Sequence, residues 1–179
     1  MACLNQRSRT LSAVETERLS LRAPGSADLD GYRTLLLDPL VQRWLRPPPL
    51  AADDPASVER LLDDDRRHWE QHGFGPAALI DRRNGPFVGR GGLNWTTVAG
   101  ERAVELPWAL VSQRWGEGLA TEAARGALAW ARELGLPEVV SFTLTSNTAS
   151  RRVMEKIGLR HEGEIEHSGL PHVLFRGAP

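Results

Sequence analysis

The stretch Trp115-Gly116-Glu117-Gly118-Leu119-Ala120-Thr121-Glu122-Ala123 constrains this chain more than any other. It follows a strand-like run, Val104 to Val111, and opens a long helical pattern. Two glycines ahead of a helix let the backbone come close to a ligand. The first helical turn then presents N–H groups that have no partner inside the helix, a natural seat for phosphate. Read alone, the stretch is a pyrophosphate cradle, open to nucleotides of several kinds.

The rest of the composition narrows the classes. At 179 residues the chain is long enough for one domain with a real core. A net charge of -1 gives no reason to expect nucleic-acid or membrane binding. Lys156 is the only lysine, so the basic side chains are almost all arginine, which suits phosphate. The lone Cys3 excludes an internal disulfide framework and a cysteine-rich metal site. Residues 1–20 hold no continuous apolar run and no later segment is long enough to span a bilayer, so a cytoplasmic location is expected.

Taken in order, residues 1–15 read as a loose lead-in and 16–179 as one domain. Arg18 to Arg22 alternates as a half-buried strand. Ser26 or Asp28 can cap a helix carrying Leu29, Tyr32, Leu36 and Leu37. A stiff Pro47-Pro48-Pro49 connector follows. Pro55 then starts a helix, with Ser57 assisting at its cap, whose stripe is Val58, Leu61, Leu62, Asp65 and Trp69. Ala77–Ile80, Phe87–Trp95 and Arg102–Val111 read as strands, with Asn84-Gly85 as a hairpin turn and Gly89, Gly91 and Gly92 marking a bulge or close approach. The helix after the glycines carries Leu119, Ala123, Ala127, Leu128, Ala131 and Leu134 and stops at Gly135. Glu138–Leu144 is the most strand-like run; Asn147 starts a short helix, and a hairpin through Ser168–Pro171 ends the chain. The expected architecture is α/β: a single mixed, mostly antiparallel sheet of six to seven strands flanked by about four helices.

The stretch Trp115–Ala123 resembles the acetyl-CoA motif, R/Q-x-x-G-x-G/A, of the GNAT N-acetyltransferase superfamily. Asn147-Thr148-Ala149-Ser150, followed by Met154–Gly158, resembles that family's next segment. Thr16–Arg22, Gly73-Phe74-Gly75 and Gly89–Leu93 resemble the ribosomal-protein N-acetyltransferase, or Rim-like, branch. The likeness runs from about residue 16 to 176. Four motifs in order on the right elements carry more than any one G-x-G. Three departures stand out. Trp115 occupies the usual Arg/Gln position, although Gln113-x-x-Gly116-x-Gly118 fits in another register. Pro107 stands where relatives have glycine. The tyrosine that many members use as general acid is missing from the second half.

The resemblance implies splayed central strands and acetyl-CoA as cosubstrate. It implies that Trp115, Gly116, Glu117, Gly118, Leu119, Ala120 and Thr121 hold the diphosphate, mostly through backbone N–H groups. Trp108, Ala109, Leu110 and Val111 would lend their backbone to the pantetheine arm as to an added strand, and Asn147 would bond its amide. Pro107 cannot donate an N–H, so a bulge or an unpaired edge is expected there. With no tyrosine available, Ser150 is the candidate for hydrogen-bonding or protonating the CoA sulfur. Glu105 is the candidate base for the amine, given partial burial. Arg151, Arg152 and Lys156 read as a solvated helix face, and Asp63-Asp64-Asp65 with Arg66-Arg67 as another with local ion pairs.

His68-Trp69-Glu70-Gln71-His72 places histidines four apart, but the glutamate is not where H-E-x-x-H needs it and no third ligand is evident, so a solvated helix end is expected there rather than a metal site. A P-loop or dinucleotide site fails because no Lys-Ser/Thr follows the glycines and the third Rossmann glycine is absent. The expected activity is transfer of acetyl from acetyl-CoA to a primary amine, a protein N-terminus or a small molecule, by direct attack in a ternary complex. The protein acting would be a monomer or homodimer. The alternative is a GNAT module that binds acyl-CoA without turnover.

Overall fold

The computed structural model describes residues 13–50 and 53–179. Most of the expected loose lead-in, with Cys3, lies outside the described residues. In chain order the elements are β1 (Ala13–Glu15), β2 (Leu19–Arg22), α1 (Leu29–Leu36), α2 (Pro39–Leu45), α3 (Pro55–His72), β3 (Pro76–Asp81), β4 (Phe87–Gly92) and β5 (Asn94–Val98). They continue with β6 (Glu101–Glu105), β7 (Trp108–Leu110), α4 (Leu119–Glu133), β8 (Val139–Leu144), α5 (Thr148–Lys156), β9 (Arg160–His167) and β10 (Leu170–Gly177). The strands form two five-stranded sheets, ordered β1-β2-β3-β4-β7 and β5-β6-β8-β10-β9. Among the described residues only the short β6–β8 contact, Glu105 against Val140, is parallel. The α/β class is as expected. The strands, however, divide between two sheets, and five helices accompany them among the described residues.

The division has a local cause. The strand expected from Arg102 to Val111, with a bulge or unpaired edge at Pro107, divides at Leu106-Pro107 into β6 and β7. Leu106 N–H still donates to Val140 O, at 2.8 Å. Pro107 has no N–H to continue that ladder, and the chain crosses to β4, pairing Trp108 with Gly91, Ala109 with Arg90 and Leu110 with Gly89. The neighbouring chain changes sheets too. Gly92 has φ +117°, and a Cβ there would meet Gly75 O at 2.7 Å. Only glycine fits, and β4 gives way to β5 across Leu93. β7 and β8 therefore belong to different sheets, and a wedge opens between them.

Helix signals explain the flanking layers. Asp54 accepts from Ser57 N–H at 2.7 Å while Ser57 Oγ accepts from Asp54 N–H at 2.8 Å, a reciprocal cap with Pro55 at the first turn. The left-handed Gly73 ends α3. Helix α4 buries Leu119, Ala123, Ala127, Trp130 and Ala131 in a core that includes Leu19, Leu21, Leu79, Leu106 and Val139. Each large aliphatic side chain so buried contributes about 1.5–3 kcal/mol. Trp69 of α3 stacks on Trp130 at 5.1 Å between ring centroids. A second cluster, Tyr32, Leu35, Leu36, Val41, Val58 and Leu62, joins α1 to α2 and α3 and reaches Val111.

Candidate active site

The loop after β7 is built from short backbone bonds and two left-handed glycines. Arg114 N–H donates to Val111 O at 3.0 Å and Trp115 N–H to Ser112 O at 3.2 Å. Gly116 and Gly118 have φ +84° and +80°. The first α4 bond runs from Glu122 N–H to Gly118 O, 3.1 Å, and no side chain among the described residues caps the helix. The N–H groups of Leu119, Ala120 and Thr121 precede that bond and have no carbonyl within the helix to receive them. They add to the positive end of a 15-residue helix dipole.

Arginines hold this loop in place. Arg114 bridges Asp81 at 3.0 Å and Glu117 at 2.7 Å. Arg18 donates to Glu117 O at 3.0 Å and to the Glu122 carboxylate at 2.6 Å, where Thr16 Oγ1 also donates at 2.6 Å. The Trp115 indole N–H donates to Leu110 O at 2.9 Å. The side chains of Trp115 and Glu117, both expected at the diphosphate, thus shape the loop itself. An open groove of about 650 Å³ starts here, lined by Arg18, Gly118, Thr121, Arg125 and Lys156.

The wedge runs from this loop back to Leu106. One edge of β7 is paired with β4, and Val111 N–H donates to Val88 O at 3.1 Å. The other edge of Trp108–Leu110 belongs to the wedge. At its apex Ser141 Oγ donates to Leu106 O at 3.0 Å. Across it, β8 leads to Asn147, which is buried and caps α5 by accepting from Ser150 N–H at 3.2 Å. The half-buried Ser150 hydroxyl makes no hydrogen bond among the described residues.

Glu105 ends β6 beside the apex, half-buried opposite Asn94 and Val140. Burial pushes its carboxyl up to about 7, although the Arg90 charge and the Asn94 amide pull the other way. A carboxyl poised there exchanges protons at neutral pH. Arg90 is itself clamped: its Nε and Nη2 donate to the two Asp65 oxygens at 2.5 and 2.6 Å, and Tyr32 OH donates to Asp65 at 2.8 Å. Burial and the Asp65 carboxylate raise the Tyr32 phenol well above its usual range, so it stays protonated.

Residues 18–160 match the family model described as an acetyltransferase (GNAT) domain. The chain belongs to the GNAT acetyltransferase family. It is 31% identical over 161 residues to the FsC-acetyl coenzyme A-N(2)-transacetylase of Aspergillus fumigatus, covering 83% of this chain and 65% of that protein. The chain covers under two thirds of the length of the curated relatives it matches, from 38% to 66%. An acetyltransferase structure from Agrobacterium tumefaciens superposes with a TM-score of 0.78 and 28% identity, covering 93% and 94% of the two chains. Mycobacterium smegmatis RimJ, solved in complex with CoA-disulfide, shares the GNAT fold at a TM-score of 0.75 and 23% identity, covering 94% and 88%. No helix among the described residues is long and apolar enough to cross a membrane.

Against this GNAT frame, two sequence readings change. Asp63 and Asp64 do pair locally with Arg66 and Arg67, but Asp65 is buried and leaves the solvated run for Arg90. His68 has both ring nitrogens engaged: Trp95 N–H donates to Nε2 at 3.0 Å, so Nδ1 carries the proton given to Phe74 O at 2.8 Å. Burial holds His68 below its usual range, in keeping with a neutral ring. The Tyr32–Asp65–Arg90 cluster was not read from sequence. Its one local signal is a carboxylate inside the apolar stripe of α3, with a glycine on each side of Arg90.

Proposed function

We propose that this GNAT protein transfers acetyl from acetyl-CoA to a primary amine, a protein N-terminal amine or a small-molecule amine, by direct attack in a ternary complex. The wedge between β7 and β8, ending at uncapped N–H groups, carries the reading. The groove beside it adds Arg18, Arg125 and Lys156 near the place for phosphates. Of the four residues Trp108, Ala109, Leu110 and Val111, the Val111 N–H is spent on Val88 O and the Leu110 O on the Trp115 indole; the backbone groups left on the edge of β7 away from β4 suit an extended amide-bearing arm, and Asn147 offers its amide from the far side.

Acetyl-CoA supplies the activated thioester when bound. Glu105 takes a proton from the attacking amine, directly or through water. The new N–C bond forms and the C–S bond breaks, and Ser150 Oγ–H hydrogen-bonds the departing sulfur or relays to it a proton that the hydroxyl regains from water. Two features support this: Glu105 lies at the apex of the wedge, and the Ser150 hydroxyl is uncommitted. The Aspergillus relative, named for acetyl coenzyme A and an N2 acceptor, favours an amine. The reading carries with it the cytoplasmic, monomeric or homodimeric state expected from the sequence.

A thiol-release assay with a panel of amines tests it. At least one amine should release CoA thiol, and Glu105→Gln should lower turnover by about 10²–10⁴-fold. If CoA protects the protein thermally but no amine releases thiol, and Glu105→Gln and Ser150→Ala change nothing, a non-catalytic acyl-CoA-binding module is the better description.

A further inference from the structure

Resting on the acetyltransfer reading with Glu105 as base, we infer that His167 and His172 form a distal subsite for an extended acceptor. Their ring nitrogens accept backbone N–H groups of a peptide whose terminal amine lies at Glu105.

Strand pairing places these residues on one face of the second sheet. Glu105 is paired with Val140, and Phe142 and Leu144 follow Val140 at two-residue steps on the same face. Leu144 is opposite His172, His172 is opposite Ile165, and His167 follows two residues after Ile165. The side chains make the path continuous. The Phe142 ring lies 4.6 Å from His167 and 5.9 Å from His172, and the two imidazoles are 5.4 Å apart, centroid to centroid. Beyond Leu106 the chain leaves β8 for β4, so Phe142 and Leu144 stand on the bank of the wedge. The apolar cluster on this face, Val98, Ala103, Val140, Phe142, Ile165 and Leu174, draws only on strands of that sheet among the described residues. All three rings are half-buried and keep some surface open.

The chemistry of the rings sets what they can hold. Leu170 O can only accept, so His172 Nδ1 carries the proton donated to it at 2.9 Å. Nε2 of the neutral ring is then a bare acceptor. Neither it nor the His167 ring has a hydrogen-bond partner among the described residues. Burial, His172 and the Arg46 charge hold His167 below its usual range, in keeping with a neutral ring. A neutral wall near an arginine suits the N–H groups of a peptide backbone better than the second ammonium of a polyamine.

Distance selects length. From Val140 to Leu144 the chain advances four steps of about 3.3 Å, ~13 Å along the sheet. His172 lies two strands from Glu105, about 10 Å across, which makes the separation about 16 Å. A small amine held at Glu105 ends well short of the imidazoles. An extended peptide gains ~3.3–3.6 Å per residue, so its fourth or fifth residue reaches them. Rings packed across a hairpin also stabilise it. That role needs aromatic faces but no imidazole nitrogen.

The test compares amidated alanine peptides of one to five residues as acceptors. In the wild type, kcat/KM should rise about 3–10-fold for each hydrogen bond gained once the fourth or fifth residue is present. His167→Phe and His172→Phe keep the rings and drop the nitrogens. Each should lose part of that rise through KM, with kcat held, and leave alaninamide unchanged. Nitrogen-15 resonances of the two imidazoles, followed in the wild type with CoA present, should move with the pentapeptide and not with alaninamide. That reading needs neither turnover nor a folded variant. A flat length dependence, a rise that both variants keep, an equal loss for alaninamide, or turnover of small amines but of no peptide overturns the inference. If no amine at all releases thiol, the resonances decide. Movement then sinks the acetyltransfer reading and leaves the subsite standing, and no movement sinks both.

Discussion

The Asn147 side chain accepts the Ser150 backbone N–H at 3.2 Å, so the two residues expected to meet the cosubstrate from β8's side are already partners. The cap and the cofactor roles of Asn147 can be separated. Asn147→Ala should cost about 1 kcal/mol of stability through loss of the cap. Asn147→Asp keeps a good cap but replaces the amide with an acceptor-only carboxylate. It should unfold near the wild-type temperature and yet bind acetyl-CoA more weakly. Thermal unfolding paired with calorimetric titration reads both, and wild-type affinity for Asn147→Asp would reduce Asn147 to a cap.

Arg18 and Glu122 join the first full strand to the start of α4. Burial favours the protonated form of Glu122, but the Thr16 hydroxyl and the Arg18 N–H and guanidinium outweigh it and hold the carboxyl below its usual range. A carboxylate lowered in the folded state stabilises above its unfolded value, about 4.3, and loses that contribution as pH falls through the folded one. Glu122→Gln should cost about 1–3 kcal/mol at pH 7. Urea unfolding from pH 7 to 3 should show the two proteins converging in acid; a constant gap would mean the loss is packing alone.

What could be read in advance followed how local each cause was. The α4 start, its Gly135 stop and the Pro55 helix came from neighbours in sequence, and the structure has them within a residue or two. The short α2 and β1 carried too few residues for periodicity to speak. Pro107 announced a break, but not that β7 would turn to β4, because that depends on Gly92 and Gly89 across the sheet. Asp65 fell in the apolar stripe of α3 and was read with its acidic neighbours. Its partner Arg90 lies 25 residues away, beyond the reach of any helical pattern.

The glycine loop makes its own prediction. Both glycines are left-handed, and a side chain there costs roughly 1–2 kcal/mol in backbone strain. Around Gly116 there is open space, so the strain, not a clash, would disturb the cradle. Gly116→Val or Gly118→Val should abolish CoA binding. Trp115→Arg loses the indole bond to Leu110 O but leaves the N–H donors in place, so binding should persist. A titration in which Trp115→Arg fails and the glycine variants bind would move the diphosphate off this register.

Glu105 should leave a signature in stability as well as in turnover. Its carboxyl is raised by burial to about 7. A raised carboxyl costs the folded state nothing while both states are protonated, and the cost grows as pH climbs from the unfolded value, about 4.3, through the folded one. Glu105→Gln removes the ionisation while keeping the shape. The variant should match wild type near pH 4 and exceed it at pH 8 by up to about 3 kcal/mol. Calorimetric or denaturant unfolding at the two pH values gives the comparison. A variant less stable than wild type at pH 8 would mean that ionised Glu105 is held by Arg90 and Asn94 better than burial penalises it. Glu105 would then be a structural anchor rather than a poised base.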